Sequence, residues 1–266
     1  MILLTGFAMF GAIFFVPLLF QGVLGASPTA SGSFLTPMML GIVFGAAISG
    51  QVLSRTGGHY RIQGILGLSI MGIGAIMLSG TTAEITHGYA LTSAVIMGFG
   101  LGTSFPLYTI AIQNGVPQQY LGIATSSAQF FRSVGGSIGL AVFGSYMVRR
   151  FKDGMEDNLP SEALEAVPPQ LLNQITDNPN ALLNPEASDN LINTFAASGE
   201  SGIAVGTQVL GAIRGSLAGA IGDVFFLCFI FVALAVVATA FIREVPLRER
   251  EKPSSVNSQS SDEPDD

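Results

Sequence analysis

The sequence has 266 residues, of which 49% are hydrophobic and only 11% are charged, whereas a soluble domain carries about 25% charged residues. The net charge of −7 comes from acidic residues in two polar segments, and no basic stripe is present, which argues against a nucleic-acid partner. The one cysteine, Cys228, cannot form an internal disulfide or a cysteine-based metal cluster.

Apolar segments long enough to cross a bilayer recur along the chain, since a spanning helix needs about 20 mostly apolar residues. Five of them lie in residues 1–148, and the sixth follows a long polar segment. We predict spans at about 2–24, 34–53, 62–79, 89–112, 122–148 and 223–242. The sequence thus predicts an all-α integral membrane protein built as a six-helix bundle.

The first span begins with MILLTGFAMF, and no basic residue precedes it. A signal peptide has a basic leading region and a shorter apolar run. We therefore expect a transmembrane helix here, and a chain that is truncated or split from a longer protein.

The orientation follows from the short loops, because they decide the positive-inside rule. Arg55 and Arg61 flank such a loop, on the side where an even number of spans also places both termini. We predict a multi-pass protein of the plasma membrane with cytoplasmic termini. Residues 149–222 then form an extracytoplasmic loop with amphipathic helices near 161–167, 189–197 and 203–221, and residues 243–266 form a disordered acidic cytoplasmic tail.

Rows of small residues mark the second and fourth spans. They include Gly41, Gly45 and Ser49 in one span and Ala94, Gly98 and Gly102 in the other. Such rows allow helix backbones to approach closely in lipid. We interpret them as packing surfaces.

Residues for catalysis are missing from the predicted spans. The sequence has no phosphate-binding loop, and His59 and His87 lie in short loops on opposite faces, so they cannot share a metal or a catalytic site. Asp223 stands at the start of the last predicted span, where we expect it to cap the helix. We predict neither an enzyme nor a bound metal or cofactor.

Arg132, in the stretch QFFRSVGGSIG, is the one charged residue in the interior of the predicted spans. Gly135, Gly136 and Gly139 follow it at helical spacing, so it shares the small-residue face and should point into the protein. A lipid-facing arginine would cost about 2.5–3.5 kcal/mol. Two interpretations stay open: a cavity group that contacts substrate, with Gln129 beside it, or a structural pin bonded to backbone carbonyls.

Several stretches resemble the major facilitator transporters, and specifically the fourteen-helix drug:proton antiporters of the EmrB/QacA type. They are FFVPLLFQGVLGASPTASGSFLTPMMLGIVFGAAISGQVLSRTGGHYR, GFGLGTSFPLYTIAIQNGVP, GIATSSAQFFRSVGGSIGLAVFG and DVFFL. The resemblance covers residues 1 to about 250, and the order and spacing of these motifs carry it.

The resemblance implies the C-terminal six-helix half of a proton-coupled multidrug efflux transporter that works by alternating access. Its partners would be membrane lipid, a small amphiphilic substrate and the N-terminal half, which is missing here; the implied energy source is a proton gradient, with no cofactor. The implied cavity residues are Arg132, Gln129, Gln21, Gln113, Phe14, Met38, Phe105 and Tyr108. The implied gating residues of the cytoplasmic loop are Arg55, Gly58 and Arg61.

Other functions remain compatible with the sequence. The chain could be a non-transporting truncated membrane protein, or a regulatory or interaction subunit. It could also be a major facilitator transporter of another small solute. The permease of a nucleotide-driven pump fits less well, because the arginine–glycine pattern resembles the antiporters.

Overall fold

The computed structural model describes residues 1–55, 59–158 and 200–241. Six long helices make up most of this described part, which contains no strand and confirms the all-α prediction. They are α1 (Ile2–Leu18), α2 (Pro28–Arg55), α3 (Tyr60–Ser79), α4 (His87–Gly115), α5 (Leu121–Asn158) and α6 (Glu200–Ala240). A π-helical turn, Leu19–Val23, extends α1, and a 3-10 turn, Gln118–Tyr120, precedes α5.

The helices pack in pairs around one apolar core. α1 lies against α5, α2 lies against α4, and α3 lies between α4 and α6, which also contacts α1 and α5. We name the two ends of the bundle after their charges. α2 ends and α3 begins at the Arg55 end, and α5 passes α6 at the opposite, Arg150 end.

The connection from α1 to α2 is a tight one at the Arg150 end. Pro17 lies in the last turn of α1. In the π-helical turn that follows, the Leu24 amide donates to the Leu19 carbonyl, five residues earlier, at 3.2 Å. Gly25 then adopts a φ of 66°, a left-handed conformation that glycine takes without steric cost. The chain can therefore reverse within a few residues and start α2.

The small-residue rows of α2 and α4 face each other, which confirms the prediction that they are packing surfaces. A Cβ atom on Gly45 would lie 2.3 Å from the carbonyl oxygen of Phe99, and one on Gly102 would lie 2.1 Å from that of Ile42. The Ser49 hydroxyl donates to the Thr103 carbonyl at 2.8 Å. Close backbone approach and hydrogen bonds between helices hold such bundles together in lipid, where burial from water contributes little.

Among the described residues, five helices are long and apolar enough to cross a membrane, namely those spanning 2–23, 29–55, 60–79, 87–115 and 206–240. This supports a multi-pass membrane protein. The predicted span at 122–148 is not among them, because Arg132 and many glycines and serines dilute the apolar content of α5. α5 packs against α1 and α6, which both contribute to one of these five helices. That α5 itself crosses the membrane stays a prediction.

The structure differs from the sequence prediction at the long polar segment. α5 continues past residue 148 to Asn158, and α6 begins at Glu200 and runs through Asp223 without a break. The prediction that Asp223 caps a new helix is therefore wrong. Phe151 and Met155 of α5 are buried, because they belong to an apolar seam that holds the extended parts of the two helices together. The predicted helices at 161–167 and 189–197 and the tail at 243–266 lie outside the described residues.

Asp223 instead pairs with Arg150 across α5 and α6. The hydrogen bond from the Arg150 Nε and the negative charge of Asp223 raise the pKa of the guanidinium. Both side chains are partly exposed, at 46% and 34%, and such surface pairs contribute only about 0–1 kcal/mol. The pair explains how a carboxylate is tolerated in the middle of an apolar helix.

Candidate functional site

Arg132 lies on the inner face of α5 and is only 8% exposed, as its small-residue neighbours predict. Two glycine contacts hold α5 against α1 at this level. A Cβ on Gly135 would lie 2.3 Å from the Leu3 carbonyl oxygen, and one on Gly6 would lie 2.3 Å from the carbonyl oxygen of Arg132 itself. The close contact of the two backbones therefore fixes where the guanidinium enters the bundle.

The guanidinium is held by two side chains. Its Nη1 donates to the Gln129 Oε1 at 2.8 Å, and its Cζ lies 4.9 Å from the centroid of the Phe105 ring on α4. A cation over an aromatic face is attracted by the ring quadrupole, more strongly when both are out of water. These contacts orient the charge and leave further N–H donors of the guanidinium, which has five in all.

A small cavity of about 10 Å³ adjoins the guanidinium between α1, α4 and α5. It is lined by Thr5, Met9, Leu101, Ser104, Phe105, Tyr108 and Arg132. This volume holds about one water molecule, whereas pockets for drug-sized ligands measure about 300–1,000 Å³. A drug-sized molecule could reach Arg132 only if these helices separated.

The hydroxyl groups of the cavity are oriented by their own helices. Thr5 donates to the Ile2 carbonyl at 2.8 Å, and Ser104 donates to the Gly100 carbonyl at 3.2 Å. Each hydroxyl proton is used in this way, so both oxygens remain acceptors. The site therefore combines a fixed positive donor with neutral acceptors and an aromatic face.

The Tyr108 hydroxyl is used for packing between helices. It lies 2.9 Å from the Thr239 Oγ1 of α6, and that Oγ1 donates its one proton to the Ala235 carbonyl at 2.7 Å. Tyr108 must therefore be the donor to Thr239. Its ring lines the cavity, but its polar group is directed away from Arg132.

We expect Tyr108→Phe to lower the free energy of unfolding by about 1 kcal/mol, the usual net contribution of one hydrogen bond. Thermal unfolding in detergent measures the effect. Tyr120→Phe is the matched control, because Tyr120 is exposed. A variant as stable as the wild type would show that the hydroxyl does not hold α4 against α6.

The structure brings together four of the residues that the family resemblance implies: Gln129, Arg132, Phe105 and Tyr108. The other four lie elsewhere. Gln21 donates to the Ser31 hydroxyl at 2.9 Å near the Arg150 end. Phe14 is half-exposed on α1 and stacks with Phe10. Met38 is fully buried in α2, and Gln113 is exposed near the end of α4.

Thr5 and Ser104 were missed by the sequence reasoning. Ser104 precedes Tyr108 by four residues, so helical spacing places the two on one face, and that signal was available. Nothing local marks Thr5, because its neighbour Arg132 is distant in the chain. Of the implied gating residues, Arg55 and Arg61 are exposed, and Gly58 lies outside the described residues.

The sequence of this chain is similar to those of known transporters and drug-resistance proteins. A family model described as the Major Facilitator Superfamily matches residues 1–140. The multidrug transporter protein MdtP of Bacillus subtilis is 31% identical over 249 residues, which cover 91% of this chain and 44% of that protein. Multidrug resistance protein 3 of the same organism is 32% identical over 54% of this chain and 28% of its own length.

A tetracycline resistance determinant of Streptomyces rimosus is 33% identical, over 53% of this chain and 41% of its own length. The chain thus spans less than half the length of each of these relatives.

Proposed function

This chain belongs to the Major Facilitator Superfamily, and from that membership we propose that it acts as the C-terminal six-helix half of a multidrug efflux transporter. The observation that carries the proposal is the match over 91% of the chain to a relative named as a multidrug transporter. The buried Arg132 between α1, α4 and α5 supports it, because charged residues kept inside a membrane bundle mark pathways for substrates or ions.

The proposed mechanism is alternating access. The six helices rock largely as one body against an N-terminal bundle, with a local shift of α1 or α4, and the binding site between the two bodies opens to either side in turn. Movement of α1 or α4 relative to α5 would open the small cavity and expose Arg132 together with Phe105. Drugs or toxic amphiphiles with an aromatic body fit the apolar and aromatic walls of this region.

Proton coupling is the further part of the proposal. A proton carrier in a membrane is usually a carboxylate, and the sequence has none from residue 1 to residue 83 or from residue 85 to residue 152. Asp223 is engaged by Arg150. We therefore assign the coupling carboxylate to the N-terminal half.

The proposal is tested by expressing the chain in a drug-sensitive host, alone and together with a matching N-terminal half. We expect the pair to lower the accumulation of a fluorescent dye such as ethidium, and a protonophore to restore accumulation. A pair that reaches the membrane but never lowers dye or drug accumulation would contradict drug efflux. Efflux that resists the protonophore would contradict proton coupling alone.

A further inference from the structure

A groove lies between α2 and α3 at the Arg55 end of the bundle. Its volume is about 480 Å³, and it is lined by Val52, His59, Ile62, Gln63 and Leu66. It forms because α2 and α3 both pack against α4 and make little contact with one another. The groove is open on the outside of the bundle.

The walls of the groove are apolar and continue a lipid-facing surface. Val52, Ile62 and Leu66 are all exposed, although they are large apolar side chains. Ile73 and Ile76 of α3 are exposed as well, and helical spacing places them on the same face as Ile62 and Leu66. An apolar stripe of this kind on a membrane helix is a surface for acyl chains.

The rim of the groove is positively charged. Arg55 is the last residue of α2 and follows Val52 by three positions, so it lies over the same face. Arg61 lies in the first turn of α3, and both arginines are exposed. The carboxylates of described side chains, at positions 84, 153, 156, 157 and 223, all belong to the Arg150 end. At the Arg55 end, the part of the chain that the structure describes offers these arginines no carboxylate.

Gln63 adds a hydrogen-bond acceptor at the groove wall. Its Nε2 donates to the Ser49 carbonyl at 2.6 Å and to the Ser49 hydroxyl at 2.9 Å, which fixes the amide group. Its Oε1 is buried and has no hydrogen-bond partner. A buried acceptor without a donor costs free energy, so a ligand that supplies a hydroxyl donor here gains from it.

We propose that this groove binds an anionic phospholipid. The phosphate lies between Arg55 and Arg61, an acyl chain follows Val52, Ile62 and Leu66, and a headgroup hydroxyl, as in phosphatidylglycerol, donates toward the Gln63 amide. A basic site between membrane helices beside an apolar groove matches the chemistry of an anionic headgroup on an acyl chain. A free phosphate would use the arginines but not the apolar walls, and a zwitterionic lipid would bring no net charge.

The experiment measures lipid bound to the purified chain in neutral detergent by native mass spectrometry, with phosphatidylglycerol, phosphatidylcholine or inorganic phosphate added. We expect retention of phosphatidylglycerol about tenfold above phosphatidylcholine, and no retention of inorganic phosphate. Arg55→Gln with Arg61→Gln should reduce the retention about tenfold, to the level of phosphatidylcholine, since the charges that attract the anionic headgroup are removed. Arg214→Gln, an exposed arginine near the Arg150 end, should leave it unchanged.

A second pair of variants tests the apolar wall. Leu66→Trp fills the groove and should displace the lipid, whereas Ile73→Trp lies on the same stripe beyond the groove and should not. The proposal is overturned by equal retention of the two lipids, by an equal loss with Arg214→Gln, or by no loss with Leu66→Trp. None of these measurements needs transport, so the result is independent of the proposed efflux function.

Discussion

In the proposed efflux transporter, Arg132→Met should reduce drug export about 10- to 100-fold while leaving the bundle as stable as the wild type. The factor corresponds to the loss of one hydrogen bond to a charged group, about 1.5–3 kcal/mol. The bond would be lost either from the state that binds substrate or from the state in which the helices move. The stability expectation has a separate basis. Burying a charge without a countercharge costs free energy, so an apolar side chain of similar length should be tolerated here, and methionine adapts to irregular space.

This variant separates the two roles that the sequence leaves open. A structural pin is needed for folding, so its removal should lower the unfolding temperature and the export together. A group that contacts substrate is needed for export alone. In the structure Arg132 donates to Gln129 and lies over Phe105; its described bonds include no backbone carbonyl, which favours the second role.

Export of a fluorescent dye and thermal unfolding in detergent, both at matched membrane expression, give the answer. Arg132→Ala should abolish export, and Arg132→Lys should retain it only partly. Lysine keeps the charge but lacks the planar fork that can reach Gln129 and lie over Phe105 at once. Wild-type export by Arg132→Met would show that Arg132 is dispensable, and a parallel fall in stability would identify the pin.

The sequence predicts the parts of this fold that depend on local pattern. Apolar runs gave the helices of the first 115 residues, and the spacing of Gly135 and Gly139 gave the inward face of Arg132. Both follow from helical periodicity, which needs only neighbours in the chain.

The course of α5 and α6 could not be predicted in the same way. Arg149 and Arg150 mark the edge of an apolar run, and the run ends there although the helix does not. Asp223 resembles a cap because its partner Arg150 is 73 positions away. The neighbours Thr5 and Phe105 of Arg132 come from other helices. Contacts between distant parts of the chain decided each of these features.

Gly135→Ala should lower the free energy of unfolding by about 1–3 kcal/mol, the usual cost of overpacking. The added Cβ would lie 2.3 Å from the Leu3 carbonyl oxygen and 3.0 Å from its Cα. Both are backbone atoms, so the only relief is separation of α1 from α5. Gly144→Ala on the same helix is the control, because its Cβ would meet nothing within 4 Å; it should be neutral or stabilising by up to about 1 kcal/mol, the helix preference of alanine.

Separation of α1 from α5 should also impair export, since it moves Arg132 relative to Phe105 and Thr5. Gly6→Ala acts at the same contact, where its Cβ would lie 2.3 Å from the Arg132 carbonyl oxygen. Once one substitution has moved the helices apart, the second finds room, so the double variant should lose less stability than the sum of the single losses. Thermal unfolding of the four proteins measures this coupling. Strict additivity would mean that each glycine is accommodated locally, and that the position of Arg132 does not depend on the close contact of the two helices.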